Sequence, residues 1–217
     1  MVKQRVTSGF HGLLFAALPY FYLIERRGQA DMKIILASQS PRRREILQLM
    51  NFPFEVKVSD IEERITSTNP ARVTEELSCQ KAEAVAKTVE EGIIIGADTV
   101  VSLDDKILGK PADKEQARKM IQGLQGRSHK VYTGVTVIEK REGDEISRNI
   151  FSEETTVKVA PMSKQEVEDY ISLEEPYDKA GAYGIQGTFA KYIEGIEGDY
   201  FNVVGLPLHR LYEQLKA

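Results

Sequence analysis

The chain has 217 residues, 41% of them hydrophobic, 29% charged and 8% aromatic, with a formal net charge of −4. That length suits one large domain or two small lobes around a substantial core. The mild acidity excludes a global basic field for holding a nucleic acid polymer, so an anionic ligand has to be caught by a local cluster.

The first 31 residues stand apart from the rest. Lys3 and Arg5 precede the apolar run LLFAALPYFYLI, from Leu13 to Ile24. That run is short of the roughly 20 apolar residues that span a bilayer, and no membrane association is expected. It has the length of a signal-peptide core, but no small-x-small cleavage site follows closely and Pro19 interrupts it. Residues 1–31 are therefore expected to be an N-terminal extension, with one domain over 32–217.

The stretch IILASQSPRRREIL, from Ile34 to Leu47, reads as strand, turn and helix. A strand is expected over 33–37 and a helix over 41–51, with Ser40 as N-cap and Pro41 as the first helical residue. Arg42, Arg43 and Arg44 then crowd the positive end of the helix dipole, where cations are disfavoured. Two readings are open. One is a solvated basic turn. The other is a polyphosphate site, in which Ser38 and Ser40 supply hydroxyls, the turn supplies N–H groups, and Arg42 and Arg43 fork onto phosphate oxygens. Arg44 falls on the exposed side.

A strand over 54–58 leads into SDIEE, where Asp60, Glu62 and Glu63 are candidate ligands for a hard cation. A helix over 70–89 presents Val73, Leu77, Ala84 and Val85 on one face; Cys79 and Lys81 lie on it, and a lone helical lysine is ordinarily a solvent residue. The single cysteine excludes an intrachain disulfide and fits a reducing compartment. In IIIGADTVV, strands are expected over 93–97 and 100–103, with Asp98 and Thr99 between them. A carboxylate between apolar runs needs a partner, a metal ion or a lysine, unless it is a simple turn residue. Lys110 in ILGKP sits on a stiff loop. Asp113 caps a helix over 113–124, and Ser163 with Glu166 makes a capping box for one over 163–172. Strands over 130–139 and 146–159 read as an antiparallel pair joined by EKREGDEIS, so the sheet is expected to be mixed. PYDKAGAYGIQG, residues 176–187, combines glycines that admit close backbone approach with Gln186, whose amide can pair with a planar base edge. A strand over 189–193 and a helix over 206–216 complete the chain. His11, His129 and His209 are scattered, without zinc-ligand spacing.

Taken in order, LASQSPRRREIL, GADTVV, LGKP, DKAGAYGIQG and GDYFNVVGLPL resemble the Maf family of nucleoside triphosphate pyrophosphatases, from Met32 nearly to the end. The resemblance implies an elongated, two-lobed α/β fold similar to inosine triphosphate pyrophosphatase, its mixed sheet flanked by helices and its cleft between the lobes. It also implies cleavage between the α and β phosphates with Mg²⁺ or, alternatively, Mn²⁺. By position, Asp98 would be the general base and a metal ligand, with Glu62 as the second metal ligand. Ser38, Arg42, Arg43, Lys81 and Lys110 would line the triphosphate. Thr99 and Gln186, with Arg42 as the third specificity position, follow the subgroup that takes thymidine and uridine triphosphates, and modified pyrimidine nucleotides are an alternative substrate. A cytoplasmic enzyme, a homodimer by family likeness, is the expectation; the alternative is a non-catalytic nucleotide-binding regulator of cell division and septum formation.

Overall fold

The fold grows from a buried parallel strand. All four side chains of β1 (Ile34–Ala37) are enclosed, and the two-residue period divides them between two faces of a sheet. Ile34 and Leu36 pack with Ile46, Leu47 and Leu211, whereas Ile35 and Ala37 pack with Ala82, Val85 and Ile94. The computed structural model describes residues 32–58 and 60–216; the expected extension over 1–31 lies outside the described residues.

After β1 come α1 (Pro41–Gln48), β2 (Phe54–Val56), α2 (Pro70–Ala86), β3 (Gly92–Leu103) and β4 (Lys106–Leu108). The chain continues through α3 (Lys114–Leu124), β5 (Ser128–Arg141), β6 (Asp144–Val159) and α4 (Lys164–Ile171). Three short 3₁₀ turns, Glu175–Asp178, Ala180–Ala182 and Thr188–Tyr192, precede β7 (Ile193–Glu197), α5 (Tyr200–Val204) and α6 (Leu208–Lys216). The strands form one seven-stranded sheet in the order β2-β1-β3-β5-β6-β7, with β4 also paired to β3. β1 runs parallel to β2 and β3, and the other pairings are antiparallel. The mixed α/β sheet flanked by helices is thus as expected.

Local signals explain most boundaries. Asn69 caps α2 by accepting from the Arg72 N–H at 3.1 Å, with Pro70 at the first helical position. Asp113 caps α3 through the Gln116 N–H at 2.8 Å. Ser163 and Glu166 close the anticipated capping box of α4. The β5–β6 hairpin is tighter than expected: only Glu142 and Gly143 turn, both at positive φ, and most of EKREGDEIS is strand.

Other expectations need correction. The strands placed at 93–97 and 100–103 are a single strand, β3, running straight through Asp98 and Thr99. The strand placed at 189–193 is a 3₁₀ turn that buries Phe189, and β7 begins only at Ile193. β4 and α5 were not foreseen as elements.

Two of the four apolar clusters among the described residues flank the site. One, under α1 and α6, gathers Leu36, Leu47, Ile95, Val135 and Leu211. The other, under α3 and α4, gathers Ile121, Val131, Val157, Tyr170 and Phe189.

Candidate active site

A cleft of about 590 Å³ opens between these two masses, and the sheet itself supplies its floor. β3 pairs with β5 without interruption from Gly92 to Ser102. On its other edge it pairs with β1 only as far as Gly96, and with β4 only from Val101 onward. Ala97, Asp98, Thr99 and Val100 therefore face a notch where the neighbouring strand is missing. Side chains from both faces of β3 can reach such a notch, which is why Asp98 and Thr99, adjacent in sequence, both line the cleft.

The rims of the notch are the segments that follow its two broken neighbours. After β1 come Ser38, Ser40, Arg42 and Arg43; after β4 comes Lys110. Ser40 occupies the N-cap position of α1, yet its side chain makes no capping bond. The Ser38 hydroxyl oxygen accepts from the Ser40 N–H at 3.2 Å and from Arg43 Nη1 at 3.3 Å, so its own proton is left to donate. Arg43 is the most firmly built cation. Its Nε donates to the Gly205 carbonyl at 2.8 Å and its Nη2 to Thr99 Oγ1 at 3.0 Å. A guanidinium has five N–H donors, so two stay available to an anion. Burial pushes the Arg43 pKa below its ordinary value, while the Asp98 charge opposes that shift. Thr99 is held in turn by Thr133 Oγ1 at 2.9 Å. Arg42 reaches across the cleft to Asp178 Oδ2 at 3.4 Å. Arg44 is exposed, as expected. Lys110 is exposed on a loop whose Gly109 carbonyl accepts from the Gly181 N–H at 3.0 Å.

Asp98 lies between the rims with a side chain 14% exposed, hydrogen-bonded and ion-paired to Lys81. Lys81 also meets Glu63 Oε1 at 2.9 Å. Lysine on α2 reaches β3 because the helix lies almost on the sheet. A Cβ built at Gly96 would collide with the Ser78 carbonyl and the Ala82 backbone, and one at Gly134 would collide with Thr74. Glycine at these two strand positions lets α2 descend, and Lys81 descends with it.

The expected residues Ser38, Arg42, Arg43, Lys81, Asp98, Thr99, Lys110 and Gln186 all line this cleft. Glu62 is the exception: it is exposed and off the lining, and the cleft receives its neighbour Glu63 instead. Glu62 lies one residue away on the same loop, and its assignment as a metal ligand rests on the family resemblance. Tyr183, Asp178 and Lys179 also line the cleft. Their only advance signal was their place in the glycine-rich segment that carries Gln186.

The site is thus an acid-centred, cation-rimmed cleft in a mixed α/β fold, the arrangement of a protein that handles a polyanion. The chain belongs to the family of Maf-like proteins, whose model matches residues 33–217. Among its relatives is a dTTP/UTP pyrophosphatase of Bacillus cytotoxicus, 49% identical over 185 residues, which cover 85% of this chain and 94% of that protein. A dTTP/UTP pyrophosphatase of Carboxydothermus hydrogenoformans is 50% identical, over 85% of this chain and 98% of that protein. A solved HAM1 protein of Coxiella burnetii is similar over 62% of this chain and 76% of its own, at 20% identity and a TM-score of 0.44.

Proposed function

We propose that this chain hydrolyses nucleoside triphosphates, dTTP and UTP foremost, to the monophosphate and pyrophosphate, with residues 32–217 as the catalytic unit. The observation that carries the proposal is the placement of one shielded carboxylate, Asp98, between cations from both rims of the notch. Relatives about half identical to this chain are dTTP/UTP pyrophosphatases, which supports the choice of substrate.

A triphosphate repels an attacking water, and the rims offset that field. Ser38, Arg42 and Arg43 receive phosphate oxygens on one side, and Lys110 receives the departing pyrophosphate on the other. Asp98 orients a water toward the α-phosphorus and takes its proton. The new bond joins water oxygen to phosphorus, the α–β anhydride bond breaks, and pyrophosphate leaves with the electron pair. The Lys81 ammonium pairs with Asp98 and holds its side chain in place between the rims.

Asp98 and Glu63 both contact Lys81 Nζ, so the two carboxylates flank the same ammonium, and a divalent ion held near them would sit beside Lys81, on the phosphate side. Two carboxylates completed by substrate phosphates suit Mg²⁺, which is commonly held that way. A divalent ion bound there would neutralise phosphate charge. Among the described residues no three His, Cys, Asp or Glu side chains form a cage, so substrate phosphates would have to complete the coordination of any such ion. Gln186, at the mouth beside Tyr183, is the candidate reader of the base. No helix among the described residues is long and apolar enough to cross a membrane.

The test is product analysis with the purified chain. UTP, dTTP, CTP and GTP are supplied with Mg²⁺, with and without a chelator, and phosphorus NMR identifies the products. Monophosphate plus pyrophosphate from UTP and dTTP supports the proposal. Orthophosphate as the first product, or nucleotide bound and left intact, overturns it.

A further inference from the structure

The segment from Tyr183 to Thr188 carries Gln186 and walls one side of the cleft, and it is tied down at both ends. At the first end, the Tyr183 hydroxyl lies 2.7 Å from His129 Nε2, with the two rings edge-on at 5.3 Å. His129 stands on β5, is 3% exposed, and its Nδ1 has no hydrogen-bond partner among the described residues. Its polar capacity is thus spent on Tyr183. At the second end, the Thr188 N–H donates to Glu175 Oε2 at 2.7 Å. Glu175 Oε1 accepts from the Tyr170 hydroxyl at 3.2 Å. Gly187 rests so closely on this carboxylate that a Cβ there would fall on it. Neither His129 nor Glu175 lines the cleft.

We propose that His129 and Glu175 are positioning residues for base discrimination, clamping the Tyr183–Thr188 segment so that Gln186 meets the base at a fixed place. The proposal rests on Gln186 as the reader of the base. Reading an edge by paired hydrogen bonds requires donor and acceptor to be held within a fraction of an ångström. Two glycines, Gly184 and Gly187, would leave the segment free to wander. The clamps remove that freedom before the ligand arrives, so the ordering cost does not fall on binding. Both clamps act through other residues and leave the phosphate-binding rims untouched.

The experiment compares the full chain with His129→Phe, Tyr183→Phe, Glu175→Ala, Glu175→Gln and Gln186→Ala. Each is assayed for kcat/KM on UTP and on CTP, and for inhibition by inorganic tripolyphosphate, which can engage only the phosphate half. Expected is a fall of about tenfold in the UTP-to-CTP ratio for His129→Phe, Tyr183→Phe and Glu175→Ala, the scale of one lost hydrogen bond. Tripolyphosphate inhibition stays constant, and Glu175→Gln, which keeps an acceptor for Thr188, retains most of the ratio. An unchanged ratio, or tripolyphosphate inhibition that weakens in step with it, overturns the proposal. Should His129→Phe fail to fold, Tyr183→Phe removes the same hydrogen bond by deleting one oxygen. If Gln186→Ala alone collapses the ratio, the clamps are refuted while Gln186 keeps its role. If Gln186→Ala changes nothing, the base reader is refuted and the clamps with it.

Discussion

Asp98 is a carboxylate at low exposure whose charge is met by an ammonium instead of by water. Its sequence context left two readings, a turn residue or a buried carboxylate that needs a partner. Which partner was not legible: Lys81 looked like any helical lysine until the helix was laid on the sheet. Asp98→Asn keeps the shape and removes the base, so kcat should drop by about 10²–10⁴ while nucleotide binding, followed by calorimetry, persists. Arg43 makes a complementary case. Its three bonds, to Ser38, Thr99 and the Gly205 carbonyl, need a planar fork. Lysine cannot reproduce that geometry. Arg43→Lys should therefore raise KM for the triphosphate about tenfold, more than it lowers kcat, in steady-state assays.

Among the elements, β3 departs furthest from its sequence pattern. GADT breaks the apolar pattern, so the sequence reads as two strands with a turn at Asp98, and the true device, a gap in the adjacent strand, has no local signature. Such a gap depends on where β1 stops and where β4 starts, two facts distant from Asp98 in the chain. The 3₁₀ turn at Thr188–Tyr192 misled for another reason: FAKY has strand-like residues, but Phe189 is buried as a tertiary anchor. By contrast, the caps of α3 and α4 were legible because capping is settled within four residues. The contact between α2 and β3 yields a test. Gly96→Ala puts a methyl against the Ser78 carbonyl and the Ala82 backbone, so the helix has to lift. Overpacking of this kind costs about 1–3 kcal/mol, visible as a lower Tm. Because Lys81 rises with α2, kcat should fall too, although Gly96 is not on the cleft lining.

At the scale of the molecule, several apolar clusters share one sheet, and His129 is buried against Tyr183 in one of them. Burial holds its imidazole neutral, with a pKa lowered from 6.5 to about 4. The unfolded chain therefore binds more protons than the folded one between those values, and stability rises with pH across that window. It is complete above about pH 6.5 and lost progressively toward pH 4, up to ~3 kcal/mol if this group acted alone. Denaturation by urea at pH 7 and pH 5 should show that loss. His129→Gln, which cannot titrate, should flatten the difference. The mixed sheet and the gathering of eight foreseen side chains into one cleft were legible from motif order. The clamps behind them were not, because His129 and Glu175 are joined to the cleft only by tertiary contacts.

The long ladder between β3 and β5 has a mechanical consequence. It runs unbroken beneath the cleft, so the two sides of the groove are cut into one continuous plank. Swinging them apart like jaws would tear backbone bonds in the middle of the protein. Traffic of nucleotide and pyrophosphate is thereby confined to small adjustments of the rims, above all the Arg42–Asp178 contact that spans the opening.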